Sequence, residues 1–168
     1  MTRIVELDRS RLAEVLEIYP AAFPDEELRP VVRELAALPE VLHLAAQEGD
    51  ALLGHVAFTP GQVGGHRVAL LGPLAVHPDR QKMGLGAALV TAGLARSKQD
   101  GAALALVLGD PGYYGRFGFA PETQVTPPYP MPADWAPAWQ SVALRPGADL
   151  EGRLKLPPVW MQPELWAD

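Results

Sequence analysis

The 168-residue sequence contains no cysteine. That absence excludes disulfides, a thiolate nucleophile and any cysteine-based zinc site. No run approaches the roughly 18 uninterrupted apolar residues of a membrane span. The opening residues, Met1-Thr2-Arg3-Ile4-Val5-Glu6, lack the apolar core of a secretory signal, so the cytoplasm is the expected compartment. The Gly-Lys-Ser/Thr of a P-loop is missing. Histidines are few (43, 55, 66 and 77), and none lies three or four residues from another, so no metal site is expected. Internal repeats and low-complexity linkers are also absent. What remains, 48% hydrophobic and 20% charged, fits an ordinary globular protein, expected as one domain over residues 1–168.

One stretch organises the chain. Val68 to Val76 is almost wholly apolar and β-branched enough for a buried strand. A polar loop, His77 to Met83, leads into Gly84-Leu85-Gly86, a helix to about Lys98, and a second apolar run, Ala103 to Leu108. Glycines let backbone N–H groups approach a ligand, and a helix N-terminus adds orphan donors and a positive dipole end. Between His77 and Lys98 stand four basic residues and one acidic, on a chain of net charge −6. A local basic site on an acidic protein suits a small anionic ligand better than nucleic acid. A Rossmann reading puts Asp110 at a ribose, but Leu89 stands where its third small residue belongs, and the loop is too long.

Gln81-Lys82-Met83-Gly84-Leu85-Gly86 resembles the Q/R-x-x-G-x-G/A signature of the GNAT superfamily of N-acetyltransferases. Leu74-Ala75-Val76-His77-Pro78 before it, and Tyr114-Gly115-Arg116-Phe117-Gly118-Phe119 after the next strand, resemble two more motifs of that superfamily in the right order. Gly109-Asp110-Pro111 with Tyr113-Tyr114 is similar to a bacterial branch of N-acetyltransferases. The resemblance implies a mixed α/β (α+β) fold, with a mostly antiparallel central sheet flanked by helices. It implies acetyl-CoA as acyl donor, held by Leu74, Ala75, Val76, Arg80, Gln81, Lys82, Met83, Gly84, Leu85, Gly86, Ala87, Tyr114 and Phe117. Tyr114 takes the catalytic place, protonating the departing thiolate, and backbone N–H groups near Val76 would stabilise the oxyanion. The acceptor is a small-molecule or protein amine. Relatives often carry a glutamate on the central strand, whereas Leu71-Gly72-Pro73-Leu74 has no carboxylate. That departure leaves the base unassigned, with a water or one of Asp25, Glu26 and Glu27, in the acidic segment expected near the acceptor, as candidates. The same gap keeps a non-catalytic acyl-CoA-binding module as an alternative, ahead of a nucleotide-binding oxidoreductase.

Elsewhere, Arg3–Leu7 alternates like a strand, and Asp8 or Ser10 can cap a helix bearing Leu12, Val15, Leu16 and Tyr19. Pro20, Pro24 and Pro30 are expected to break the next stretch, residues 23–28, into a loop or two short helices. Residues 31–38 read as helix, 41–47 and 52–63 as strands, and Gly64-Gly65 as a hairpin turn. The small residues of the helix after the loop (Gly86, Ala87, Ala88, Ala92, Gly93, Ala95) would let it lie close to the sheet, with Leu85, Leu89 and Leu94 as apolar bulk. Ten of 18 prolines and all four tryptophans follow Ala120. That tail, with a strand at 139–144 and an extended arm at 153–159, would complete the sheet, wall the acceptor pocket or pack on a second subunit of a homodimer; packing is the preferred reading.

Overall fold

A computed structural model describes residues 1–167. Among the described residues there are nine strands, four α-helices and short 3-10 turns. The strands are β1 (Thr2–Glu6), β2 (Leu42–Glu48), β3 (Ala51–Val63), β4 (His66–Val76), β5 (Leu104–Leu108), β6 (Ala120–Pro121), β7 (Val125–Thr126), β8 (Trp139–Ala143) and β9 (Gly152–Arg153). The helices are α1 (Leu12–Ala22), α2 (Arg29–Ala36), α3 (Leu85–Gln99) and α4 (Pro111–Tyr114). Seven strands form one sheet in the order β1-β2-β3-β4-β5-β8-β6, and β7 pairs with β9 separately. Within the large sheet β4 and β5 run parallel, while β1/β2, β2/β3, β5/β8 and β6/β8 are antiparallel. The mostly antiparallel sheet expected from the resemblance is present. Two compact units share the chain: residues 1–58 with 72–95, and residues 59–71 with 96–168.

In the first unit, β3 presents alternate residues to opposite faces. Gly54 and Phe58 meet Leu89 and Gly93 of α3, whereas His55 meets Tyr19 of α1. The core around α1 gathers Val15, Leu16, Ile18, Tyr19, Val32, Ala45, Leu52 and Ala75. Residues 23–28, between α1 and α2, are a loop, as expected, and the flanking prolines stand in the helices on either side. Pro20 lies inside α1, where it removes a single hydrogen bond in the last turn, and the helix ends two residues later as Phe23 N donates to the Tyr19 carbonyl (2.8 Å). Pro30 sits in the first turn of α2, where its missing N–H is no loss. The small-residue stripe of α3 needs correction. Leu85, Leu89, Val90, Gly93 and Ser97 form the buried face, while Ala88 and Ala95 are exposed.

His43 and His55, diagonal neighbours on β2 and β3, are both buried. Tyr19 Oη lies 2.6 Å from His55 Nδ1, and His55 Nε2 lies 2.9 Å from His43 Nδ1. Neutral rings carry one proton each, so both bonds run in the same direction, from Tyr19 through His55 to His43 or the reverse, and the ring nitrogen left over is His43 Nε2. That nitrogen is buried without a completed hydrogen bond. Burial pushes the His43 ring down to about 4; the nearby Arg9 charge lowers it further, and the Leu35 carbonyl pulls the other way. Burial drives His55 well below its ordinary value, with His43 adding to the effect. The unfolded chain therefore takes up these protons first. The stability the neutral pair confers is complete above pH 6.5 and is lost as pH falls toward 4, by on the order of 3 kcal/mol for His43 alone. Urea midpoints measured from pH 7.5 to 4.5 should fall steadily, and His43→Asn should flatten the slope. A flat wild-type profile would contradict the neutral chain.

In the second unit the tail closes its own core. Leu104 and Leu106 of β5 pack with Val63, Val68, Leu70, Val125, Trp139, Leu154 and Trp166. Trp139 Nε1 donates to the Val125 carbonyl (2.7 Å) and Trp166 Nε1 to that of Trp160 (2.9 Å). The expected arm is only partly extended. Lys155 and Gln62 exchange backbone hydrogen bonds, but residues 158–160 turn as a 3-10 helix. Among the described residues no helix is long and apolar enough to cross a membrane, and no cluster of metal-binding side chains occurs.

Candidate active site

One candidate feature, in the first unit, is the segment between β4 and α3. His77 N donates to the Leu53 carbonyl of β3 (2.8 Å). Amide directions alternate along a strand, so the Val76 N–H points away from β3. Gln81 Nε2 folds back onto the Val76 carbonyl (3.1 Å), tying the loop to the strand end. A 3-10 turn over Pro78–Arg80 follows, with His77 Nδ1 accepting from Asp79 N (3.2 Å). Lys82 takes φ 66° and Gly84 φ 84°, two left-handed positions that reverse the chain ahead of the helix. A side chain at 84 would meet nothing within 4 Å, so space stands open in front of the turn. The Gly84 carbonyl accepts from Ala88 N (3.0 Å), and the first N–H groups of α3, those of Leu85, Gly86 and Ala87, have no acceptor within the helix. Leu85 and Ala75 are buried anchors, so only their backbones can face a ligand.

The loop cations divide. Arg80 Nε and Nη2 hold both oxygens of Glu48 (2.9 and 3.1 Å), which lowers the Glu48 carboxyl below its usual range. This fork braces the loop against the end of β2 rather than leaving the guanidinium free. Lys82 is exposed and has no ionic or hydrogen-bond partner among the described residues. Met83 is exposed as well.

A separate candidate feature, in the second unit, lies after β5. Asp110 caps α4 by accepting from Gly112 N (2.9 Å), and its carbonyl accepts from Tyr113 N and Tyr114 N (both 3.0 Å). Tyr114 is thus hung on a single tight turn from the strand. Its ring lies over Gly109, where a Cβ would come within 2.5 Å of Cε2. Phe119, buried, meets it edge-on at 5.8 Å, and Phe117 lies 6.4 Å away. Gly118, at φ 92°, makes the turn that sends Phe119 inward. Phe119 is therefore a core anchor, and Phe117 is half-buried beside Tyr114 and Tyr113. Arg116 stacks over Tyr113 (4.5 Å) and is not available to Tyr114. The Tyr114 hydroxyl has no hydrogen-bond partner among the described residues, and burial, assisted by Tyr113 and Asp110, raises its pKa far above the ordinary phenol value.

Of the three carboxylates proposed as base, Glu27 is pinned by Arg29 (2.6 and 2.8 Å) and held down to about 2 by that pairing. A carboxylate so acidic is a poor proton acceptor. Asp25 and Glu26 are exposed on the same segment. Sequence reasoning missed Glu48, whose role depends on a partner 32 residues away, and Gln140, which grips Gly109 from β8.

Residues 12–119 match the acetyltransferase (GNAT) family. An uncharacterized N-acetyltransferase of Escherichia coli K12, YjhQ, is 32% identical over 152 residues, covering 83% of each chain. A GNAT family acetyltransferase from Brucella melitensis, solved with acetyl-CoA, is 30% identical, with TM-score 0.76 over 95% of this chain and 97% of that one. YhbS from Escherichia coli, solved with CoA, superposes at TM-score 0.80 over 96% and 92% of the two chains at 24% identity, a likeness of fold. The chain belongs to the acetyltransferase (GNAT) family of N-acetyltransferases.

Proposed function

We propose that the protein moves an acetyl group from acetyl-CoA to a primary amine, on a small molecule or a protein, by direct attack of the amine nitrogen on the thioester carbonyl. The observation that carries this reading is the loop before α3. It sets two left-handed residues and an open space at Gly84 next to the N–H groups of Leu85, Gly86 and Ala87, which have no acceptor within α3. Such a turn fits the pyrophosphate of the donor, and the 30%-identical Brucella protein was solved with that donor. Exposed Lys82 adds a cation beside it, while Arg80 keeps the loop in shape through Glu48. The Val76 N–H, turned away from β3, is an available donor for the carbonyl oxygen as negative charge grows there.

In this mechanism the N–C bond forms, the C–S bond breaks, and the amine's proton leaves to water. Tyr114 supplies the proton that the thiolate needs. A thiol has a pKa near 8.5 and a phenol near 10. Burial raises the phenol further, and it raises a thiol seated in the same dry surroundings in the same direction. The hydroxyl, protonated throughout the working range and without an internal partner, is thus ready to donate.

The first test is a thermal shift. Acetyl-CoA at about 100 times its Kd should add about 2.7 kcal/mol, or roughly 5–10 °C for a chain this size. NADH in a parallel arm should give no shift. An NADH-only shift would instead select an oxidoreductase, and silence with both would remove the donor site. Release of free thiol that depends on an added amine then separates an enzyme from a module that merely holds acyl-CoA.

A further inference from the structure

Gln140 lies in β8 opposite Val107, is buried, and makes hydrogen bonds that its strand does not require. Its Nε2 donates to the carbonyls of Gly109 (3.1 Å) and Ala138 (3.3 Å). The Gly109 N–H already donates to the same Ala138 carbonyl (2.9 Å), so one amide group clamps the point where β5 ends. The Tyr114 ring covers the Cα of Gly109, occupying the place a Cβ would take. From Gly109 the chain reaches Tyr114 through the Asp110-capped turn, held by the hydrogen bonds of Tyr113 N and Tyr114 N to the Asp110 carbonyl. Gln140 Oε1, meanwhile, is buried without a hydrogen-bond partner among the described residues. Flipping the amide would set that oxygen against two carbonyls, so the orientation is fixed. A methionine or leucine would fill the same volume with no orphaned acceptor, which makes a glutamine a poor choice for packing alone.

We propose that Gln140 is a positioning residue: by holding the Gly109 carbonyl it fixes the backbone against which the Tyr114 ring rests, and so the point from which the phenol donates its proton. The inference rests on the reading of Tyr114 as proton donor. Displacing a reacting group by about 1 Å costs up to roughly 100-fold in rate.

The test is a double-mutant cycle in steady-state kinetics, with acetyl-CoA affinity measured separately. Gln140→Met should lower kcat by about ten- to a hundredfold with the KM for acetyl-CoA unchanged. In a Tyr114→Phe background it should lower kcat no further, because the group it positions is gone. Equal losses in both backgrounds would overturn the proposal and make Gln140 structural, as would unchanged turnover in the single variant. If Tyr114→Phe itself turns over normally, the proton-donor role falls and the positioning role with it, while acetyl-CoA binding still reports on the donor site. Gln140→Glu adds an independent reading. Its protonated acid can donate to the Gly109 carbonyl and its carboxylate cannot, so its rate relative to the parent should fall as pH rises; a flat ratio counts against the proposal.

Discussion

Tyr114→Phe is expected to lower kcat by roughly 10²–10⁴-fold, or about 3–5 kcal/mol of transition-state stabilisation, with acetyl-CoA affinity retained. The size of the effect follows from what the substitution leaves in place. The ring's contacts with Gly109, Phe117 and Phe119 belong to carbon atoms, and phenylalanine keeps them. The hydroxyl makes no hydrogen bond within the described residues, so deleting it leaves no internal group unsatisfied and stability should barely change. What disappears is a proton donor. Because the phenol is raised far above its ordinary pKa, the wild-type rate should show no downturn from tyrosine ionisation up to about pH 10. Kinetics of the variant with one amine acceptor, beside an acetyl-CoA titration, decide the matter. Unchanged turnover removes the acid role, and a rise in KM alone would make Tyr114 a binding residue.

The strand, loop and helix from Val68 to Gln99, and β5 after them, were legible because each carries a local signal. A continuous apolar run can only be a buried strand or a short core helix, and paired glycines next to a polar turn mark a backbone that must approach something. The Gly64-Gly65 hairpin is equally local, with φ of 55° and 84°. Arg80 shows where that kind of reading stops. Its charge is plain in the sequence, but its use is set by Glu48, which only the pairing of strands brings within 2.9 Å. His43 and His55 are similar. Twelve residues apart, they show no metal spacing, and only the β2/β3 register lays them side by side. The loop at residues 23–28 was legible from its prolines, although Pro20 and Pro30 stand inside the ends of the helices it joins, a placement that composition does not state. Gln140 gave no signal at all. A polar residue in a predicted strand is unremarkable until the strand end it grips is known.

Gly93→Val should be among the most damaging single changes, lowering stability by about 3–5 kcal/mol, at the upper end of overpacking, and the melting temperature by roughly 8–15 °C. A Cβ at position 93 would stand 1.9 Å from Phe58 Cε1 and 2.4 Å from Cζ. Phe58 is buried on β3 and cannot swing into solvent, so either α3 lifts from the strand or the ring is forced off its rotamer. Alanine at the same position gains about 1 kcal/mol of helix propensity yet meets the same ring, so a smaller net loss is expected. Phe58→Ala should relieve the alanine variant's clash, giving a double mutant clearly less unstable than the two single losses combined. The consequence reaches the site. Gly86 lies seven residues before Gly93, about 10 Å along the same helix. A helix pushed off β3 carries the loop's N–H groups with it, so acetyl-CoA binding should weaken in Gly93→Ala even where the protein stays folded. Thermal melts of the four proteins, read beside acetyl-CoA titrations of those that fold, test both steps. A wild-type melting temperature for Gly93→Val would mean that α3 does not rest on Phe58, and intact binding in a destabilised Gly93→Ala would detach the loop's geometry from the packing beneath it.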